Sequence, residues 1–129
     1  MNDQKTTIAE IRQMVEQFVA ERNWQQFHSP KNLSMALTIE AGELMEHFQW
    51  ISMDDSRAVR SDPEKLAQVA EEIADVFCYT LAIASELGID LAACIESKMV
   101  KNRQKYPVDQ FKGRFGKDDK NRPDPTNSD

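Results

Sequence analysis

Residues 62–88 read DPEKLAQVAEEIADVFCYTLAIASELG, and this stretch decides the fold. Leu66, Val69, Ile73, Val76, Phe77, Thr80, Leu81, Ile83 and Ala84 recur at three- and four-residue spacing, which at about 100° per residue gathers them on one helix face. Asp62 followed by Pro63 gives an N-cap and a first-turn proline, whose missing N–H costs nothing at that position. Gly88 offers the left-handed residue that closes a helix C-terminus. The spacing therefore predicts one long helix from Pro63 through Leu87.

The same signals recur on both sides of it. Ser29-Pro30 predicts a second helix start, with the apolar pattern carrying on to Trp50. Thr7 and Glu10 form a capping box ahead of Ile8, Ile11, Val15, Phe18 and Val19, a helix that fades near Arg22-Asn23. Asp90 caps a fourth helix, which Pro107 stops. The chain holds only four Gly, where average usage gives about nine. No stretch alternates Val, Ile and Thr with polar residues, so no sheet is expected. The expected class is all-α, a four-helix bundle-like arrangement.

The 129 residues suit a single domain that buries roughly two thirds of its unfolded surface, and the 40% hydrophobic content is that of a globular chain. The expected domain covers residues 1–110. Residues 111–129 are expected to form a flexible tail, because KGRFGKDDKNRPDPTNSD is almost free of apolar side chains. Cys78 and Cys94 form no CxxC or Cys/His grouping and read as free thiols rather than zinc ligands. No apolar run reaches the roughly 18 residues of a membrane span, and the N-terminus lacks a basic-then-apolar signal layout. A cytoplasmic protein with no membrane partner is expected.

The net charge of -6 divides unevenly, with -10 over residues 1–97 and +4 over residues 98–129. A net acidic chain argues against a general nucleic-acid binder, which needs an excess of Lys and Arg to neutralise phosphates. It leaves room for a small phosphorylated ligand that arrives with a metal ion.

Four carboxylates stand at the edges of the apolar stripes. On the second helix, Glu40 falls about 20° from Leu33 and Ile51, with Glu43 about 60° further round. On the third, Glu72 lies about 40° from Val76, and Asp75 follows one turn later. A charge at such an edge is paired, protonated or metal-bound, because burial alone costs several kcal/mol. If the two helices pack antiparallel the four groups converge, and an all-oxygen donor set suits Mg²⁺ or Mn²⁺. The competing reading is solvated surface charge on a non-catalytic interaction module. A di-iron bundle is disfavoured, since His47 follows Glu43 by four residues rather than three and the third helix has no His.

Glu40-Ala-Gly-Glu43 and Glu72-Ile-Ala-Asp75 together resemble the ExxE…ExxD signature of the MazG-like, all-α nucleoside triphosphate pyrophosphohydrolases. The likeness continues through ERNWQQFHSPKNL, EAGELMEHFQW, EEIADVFCYTLA and SKMVKNRQKYP, covering about residues 8–108, and is greatest to the dCTP pyrophosphatase branch. What the resemblance implies is Mg²⁺-dependent hydrolysis of a nucleoside triphosphate, dCTP or a modified dCTP above all, to the monophosphate and pyrophosphate, in a homodimer or homotetramer.

It also implies site residues. Glu40, Glu43, Glu72 and Asp75 match the metal ligands and carry the catalysis; Glu46 or Glu71 is left as a further ligand or as the group orienting the attacking water. Lys98, Asn102 and Arg103 match the phosphate-binding end of the last core helix, although a basic helix end also suits the macrodipole by itself. Trp24, Trp50 and Tyr106 match aromatic positions around base and sugar, with Tyr79 and His28 as further pocket residues. Stacking on such rings favours any base and does not select cytosine. The departures from the family pattern fall in residues 51–65 and after Pro107.

Overall fold

The structure is a computed structural model, and it describes residues 1–114. Among these residues every regular element is helical: α1 (Ile8–Glu21), α2 (Pro30–Glu46), α3 (Met53–Ala58), α4 (Pro63–Glu86), α5 (Leu91–Lys105) and α6 (Val108–Phe111), with single 3₁₀ turns at Trp24–Phe27 and Val59–Ser61. The all-α expectation holds. The greater part of the expected tail lies outside the described residues. No single described helix is long and apolar enough to cross a membrane.

Side-chain caps set the helix starts. The Thr7 hydroxyl accepts from the Glu10 N–H at 3.2 Å, and the Glu10 carboxylate accepts from the Thr7 N–H at 2.6 Å. The Thr7 N–H, and after it the Thr7 hydroxyl donating to Glu10 Oε2 at 2.9 Å, hold the Glu10 carboxyl below the ordinary glutamate range. Ser29, Ser52, Asp62 and Asp90 cap α2, α3, α4 and α5 through the N–H of Asn32, Asp55, Lys65 and Ala93 respectively.

Left-handed residues set two of the ends. α1 stops at Asn23, which takes φ 52° and donates its N–H to the Ala20 carbonyl at 3.0 Å. α4 closes on Gly88 at φ 64°, with Gly88 N–H to Ser85 O at 3.1 Å and Ile89 N–H to Ala84 O at 2.8 Å, the paired bonds of a Schellman motif.

Helix α2 is shorter than its apolar pattern predicts. It ends at Glu46, and residues 47–50 form a turn in which Phe48 and Gln49 both donate to the Met45 carbonyl. The pattern of Phe48 and Ile51 continues past the end, but Ser52 adopts extended geometry to cap α3 and draws the chain out of the helix. α3 itself has no apolar stripe in the sequence, which is why the 51–65 segment reads as plain connection.

The described residues divide into two compact units, residues 1–89 and a second that begins at Asp90. In the first, α4 packs against both α1 and α2. Arg12 donates to the Ile89 carbonyl at 3.0 Å and Ser85 to the Glu16 carboxylate at 2.7 Å, so α1 runs antiparallel to α4. The core of this unit is Val19, Leu33, Val59, Val69, Leu81 and Ala84. Leu66, Ile73 and Phe77, on the predicted apolar face of α4, stay exposed, with Ile73 at 53%. Two neighbouring helices cover only part of so wide a face. In the second unit, α5 is followed by α6, where Phe111 packs edge-on to Tyr106 with ring centroids 5.1 Å apart.

Candidate active site

Helices α2 and α4 bring the predicted carboxylates together. Carboxylate oxygens of Glu40, Glu43 and Glu72 lie within 4.8 Å of one another. Two factors place them there. The i,i+3 spacing stacks Glu40 and Glu43 on adjacent turns, and α4, antiparallel to α2 because His47 lies by Glu72 while Glu40 is near Asp75 and Tyr79, sets Glu72 against them. Asp75, one turn beyond Glu72, is close enough for its charge to act on Glu40. Glu46 and Glu71 fall outside the three-carboxylate group and are exposed.

The cluster carries uncompensated negative charge. Loss of solvent raises the Glu40 carboxyl above its ordinary value, a hydrogen bond and the charge of Glu43 raise it further, and Asp75 and Glu72 add to the effect. Within this unit no Lys or Arg pairs with any of the four; the one cation-forming neighbour is His47, whose Nε2 lies 4.0 Å from Glu72 Oε1. Three or four converging carboxylate oxygens and no soft donor are the set a hard divalent cation takes. The residues present therefore fit a metal of that kind.

The raised Glu40 has a consequence for stability. Native Glu40 keeps its proton where the unfolded chain has already lost it, so its contribution is full below the ordinary value of 4.5 and is lost as pH rises through the higher native value. Substituting Gln for Glu40 removes that loss. In EDTA, the melting temperature of Glu40→Gln is expected to match that of the parent protein near pH 4.5 and to exceed it at pH 7. Melts followed by circular dichroism across that range check it, and a difference that shrinks with pH would contradict the electrostatic reading.

A cavity of about 340 Å³ opens beside the cluster, lined by Met14, Val15, Phe18 and Val19 of α1, by Trp24 and His28, and by Asp75, Cys78, Tyr79 and Ala82 of α4. Asp75 belongs both to this wall and to the electrostatics of Glu40, which joins the cavity to the carboxylates. Burial, then the charges of Glu40 and Asp75, push the Tyr79 phenol up, so it remains an O–H donor. Burial and Asp75 likewise push the Cys78 thiol up and keep it unreactive.

Trp24, His28 and Tyr79 thus line one cavity. Trp50 does not line it; the early end of α2 leaves this side chain 87% exposed on the following turn. Lys98, Asn102, Arg103 and Tyr106 lie at the C-terminal end of α5 in the second unit, with Lys98 and Asn102 one turn apart. Sequence reasoning passed over His47 as a site residue. Its spacing of four from Glu43 and seven from Glu40 was the available signal, since these offsets share a helix face.

Among the described residues, an all-helical scaffold sets a carboxylate cluster next to a mostly apolar cavity, the kind of site that suits a hard cation together with a ligand that has an apolar part. Residues 35–116 match the sequence model of the MazG-like family. The chain belongs to that family. It is 43% identical over 107 residues to dCTP pyrophosphatase 1 of Rattus norvegicus, covering 83% of this chain and 63% of that protein. Against dCTP pyrophosphatase 1 of Homo sapiens the identity is 42% over 102 residues, 79% of this chain and 60% of the relative. The chain thus spans less than two thirds of the length of these curated relatives. Its fold also matches the crystal structure of a pyrophosphatase from Archaeoglobus fulgidus DSM 4304, with TM-score 0.73, 34% identity, and coverage of 83% of this chain and 98% of that one.

Proposed function

We propose that this protein is a divalent-metal-dependent nucleoside triphosphate pyrophosphohydrolase that converts dCTP, or a dCTP modified on its base, to the monophosphate and pyrophosphate. The observation that carries the reading is the convergence of Glu40, Glu43 and Glu72 within 4.8 Å, with Glu40 raised and no Lys or Arg of the same unit to balance the charge. The names of the curated relatives supply the substrate class.

In this reading Glu40, Glu43 and Glu72, with Asp75 beside them, hold Mg²⁺, for which Mn²⁺ substitutes. When bound, the cation neutralises triphosphate charge and makes a water more acidic. The chain's own groups do the rest. Water oxygen bonds to the α-phosphorus, the bridging bond to the β-phosphate breaks, and a carboxylate of the cluster accepts the proton as pyrophosphate leaves. Trp24, His28 and Tyr79 receive the base in the cavity, where Tyr79 donates its O–H. Lys98, Asn102 and Arg103 are read as phosphate contacts, and Tyr106 and Trp50 as aromatic contacts, on their match to the family pattern.

The assembly is proposed as a homodimer or homotetramer acting on the cytoplasmic nucleotide pool. Exposed Met35, Ile39, Leu66, Ile73 and Phe77 give α2 and α4 the apolar surface such an association requires.

A panel of deoxynucleoside and ribonucleoside triphosphates with Mg²⁺, scored by kcat/KM for monophosphate release, tests the substrate. dCTP or a 5-substituted dCTP is expected to lead the other bases by about tenfold or more, the discrimination that one or two hydrogen bonds to a base edge supply. Equal turnover of all bases would remove the cytosine assignment, and no turnover of any would remove the reading itself.

A further inference from the structure

Arg22 follows α1 and stands outside the lining of the 340 Å³ cavity, yet it touches two of the groups that form the wall. Its guanidinium carbon lies 3.6 Å from the centre of the Phe18 ring and 6.0 Å from that of Trp24. Nη1 donates to the Phe18 carbonyl at 2.9 Å, which fixes the plane of the guanidinium over the ring. The left-handed turn at Asn23 brings Trp24 back against Phe18, edge to face, with centroids 5.8 Å apart. Asn tolerates that conformation better than most residues, so the return costs little.

Phe18 and Trp24 are 49% and 43% exposed. Rings so lightly covered pay conformational entropy when a ligand orders them, unless something orders them first. Arg22 contacts both rings and is itself tied at the backbone of α1.

We propose that Arg22 is a positioning residue for this cavity: stacked on Phe18 and facing Trp24, it holds the aromatic corner in the shape that receives the nucleobase, and so sets substrate affinity without touching substrate. The inference rests on the nucleotide reading above. A planar cation is required, because lysine offers charge without a stacking surface.

The test compares KM and kcat for dCTP with Mg²⁺, and the inhibition constant of dCMP, in the parent protein, Arg22→Leu, Arg22→Lys, Phe18→Leu and the Phe18→Leu/Arg22→Leu double variant. Loss of a cation–π contact of this kind predicts that Arg22→Leu raises KM and the dCMP constant together by about 3- to 30-fold, with kcat within about twofold. Arg22→Lys falls between the two. In the Phe18→Leu background the Arg22→Leu change adds less than about twofold, because its effect passes through the ring. An unchanged KM, a fall in kcat alone, or the full Arg22 effect persisting without Phe18 would overturn the proposal. So would weakening confined to dCTP, which would make Arg22 a phosphate contact. If Arg22→Leu does not fold, Arg22→Lys alone and with Phe18→Leu carries the same comparison. A parent protein that neither turns over dCTP nor binds dCMP removes the nucleotide reading and this inference with it; a parent that does both while Arg22→Leu changes nothing removes the inference alone.

Discussion

Replacing Glu72 with Gln is expected to lower Mg²⁺-dependent release of pyrophosphate from dCTP by about 10³-fold, a loss of about 4 kcal/mol of transition-state stabilisation. The size follows from its place. Glu72 is the member of the three-carboxylate group that comes from α4, so it closes a donor set that α2 alone cannot complete. Gln keeps the volume and one oxygen but removes the charge that a hard cation prefers. The fold is expected to survive, because Glu72 makes no hydrogen bond that holds α4 to α2, and the His47 ring lies 4.0 Å from it. Calorimetric titration with Mg²⁺ and circular dichroism separate the two effects: weaker metal binding with an unchanged spectrum is the expected pair. Activity above a tenth of the parent's would show that the carboxylates do not act as one metal site.

Leu81→Ala is expected to destabilise the chain by about 3 kcal/mol, with the activity per folded molecule preserved. Leu81 is 0% exposed, on the helix that packs against both α1 and α2. With so few side chains fully covered, the neighbours of Leu81 can partly close over the space, and the cost lies toward the lower part of the usual range of about 2–5 kcal/mol. Urea unfolding at fixed protein concentration reads it as a lower midpoint with an unchanged slope. A shift of less than 1 kcal/mol would place the core elsewhere, under the surface that Ile73 and Phe77 present.

The parts of this fold that could be read from sequence are those a single side chain decides locally. Thr7, Ser29, Asp62 and Asp90 each cap the helix they announce, because an N-cap needs only a short oxygen-bearing side chain three residues from an orphan N–H. Gly88 ends α4 for an equally local reason. Short elements escaped. α3 and the two 3₁₀ turns have too few residues to show a period.

The apolar stripe of α4 was legible as a stripe, but its coverage was not. Period says which residues share a face; it does not say how much of that face the neighbouring helices reach, and Leu66, Ile73 and Phe77 are left open.

The candidate site divides in the same way. Glu40, Glu43, Glu72 and Asp75 announced themselves because charge beside an apolar stripe is costly; the packing of α2 on α4, which spacing alone could only suppose, gathers the first three and leaves Asp75 near enough for its charge to act on Glu40. Trp24, His28 and Tyr79 meet at the cavity, a consequence of the Asn23 turn and of α1 lying along α4. Neither is visible in a linear pattern. Trp50 stands on the turn after α2, because the helix ends four residues before its apolar pattern does, and its exposure there could not be read from that pattern. His47 was legible only by its offsets from the glutamates, and no pattern of its own marks it.

In the proposed reaction this carboxylate cluster directs water to the α-phosphorus of a nucleoside triphosphate. Phosphorus NMR of dCTP incubated with the protein and Mg²⁺ tests it most directly. dCMP and pyrophosphate are expected in equal amounts, with no reaction in EDTA and almost none for Glu72→Gln. Orthophosphate and dCDP as the products, or pyrophosphate release that persists in EDTA, would contradict it.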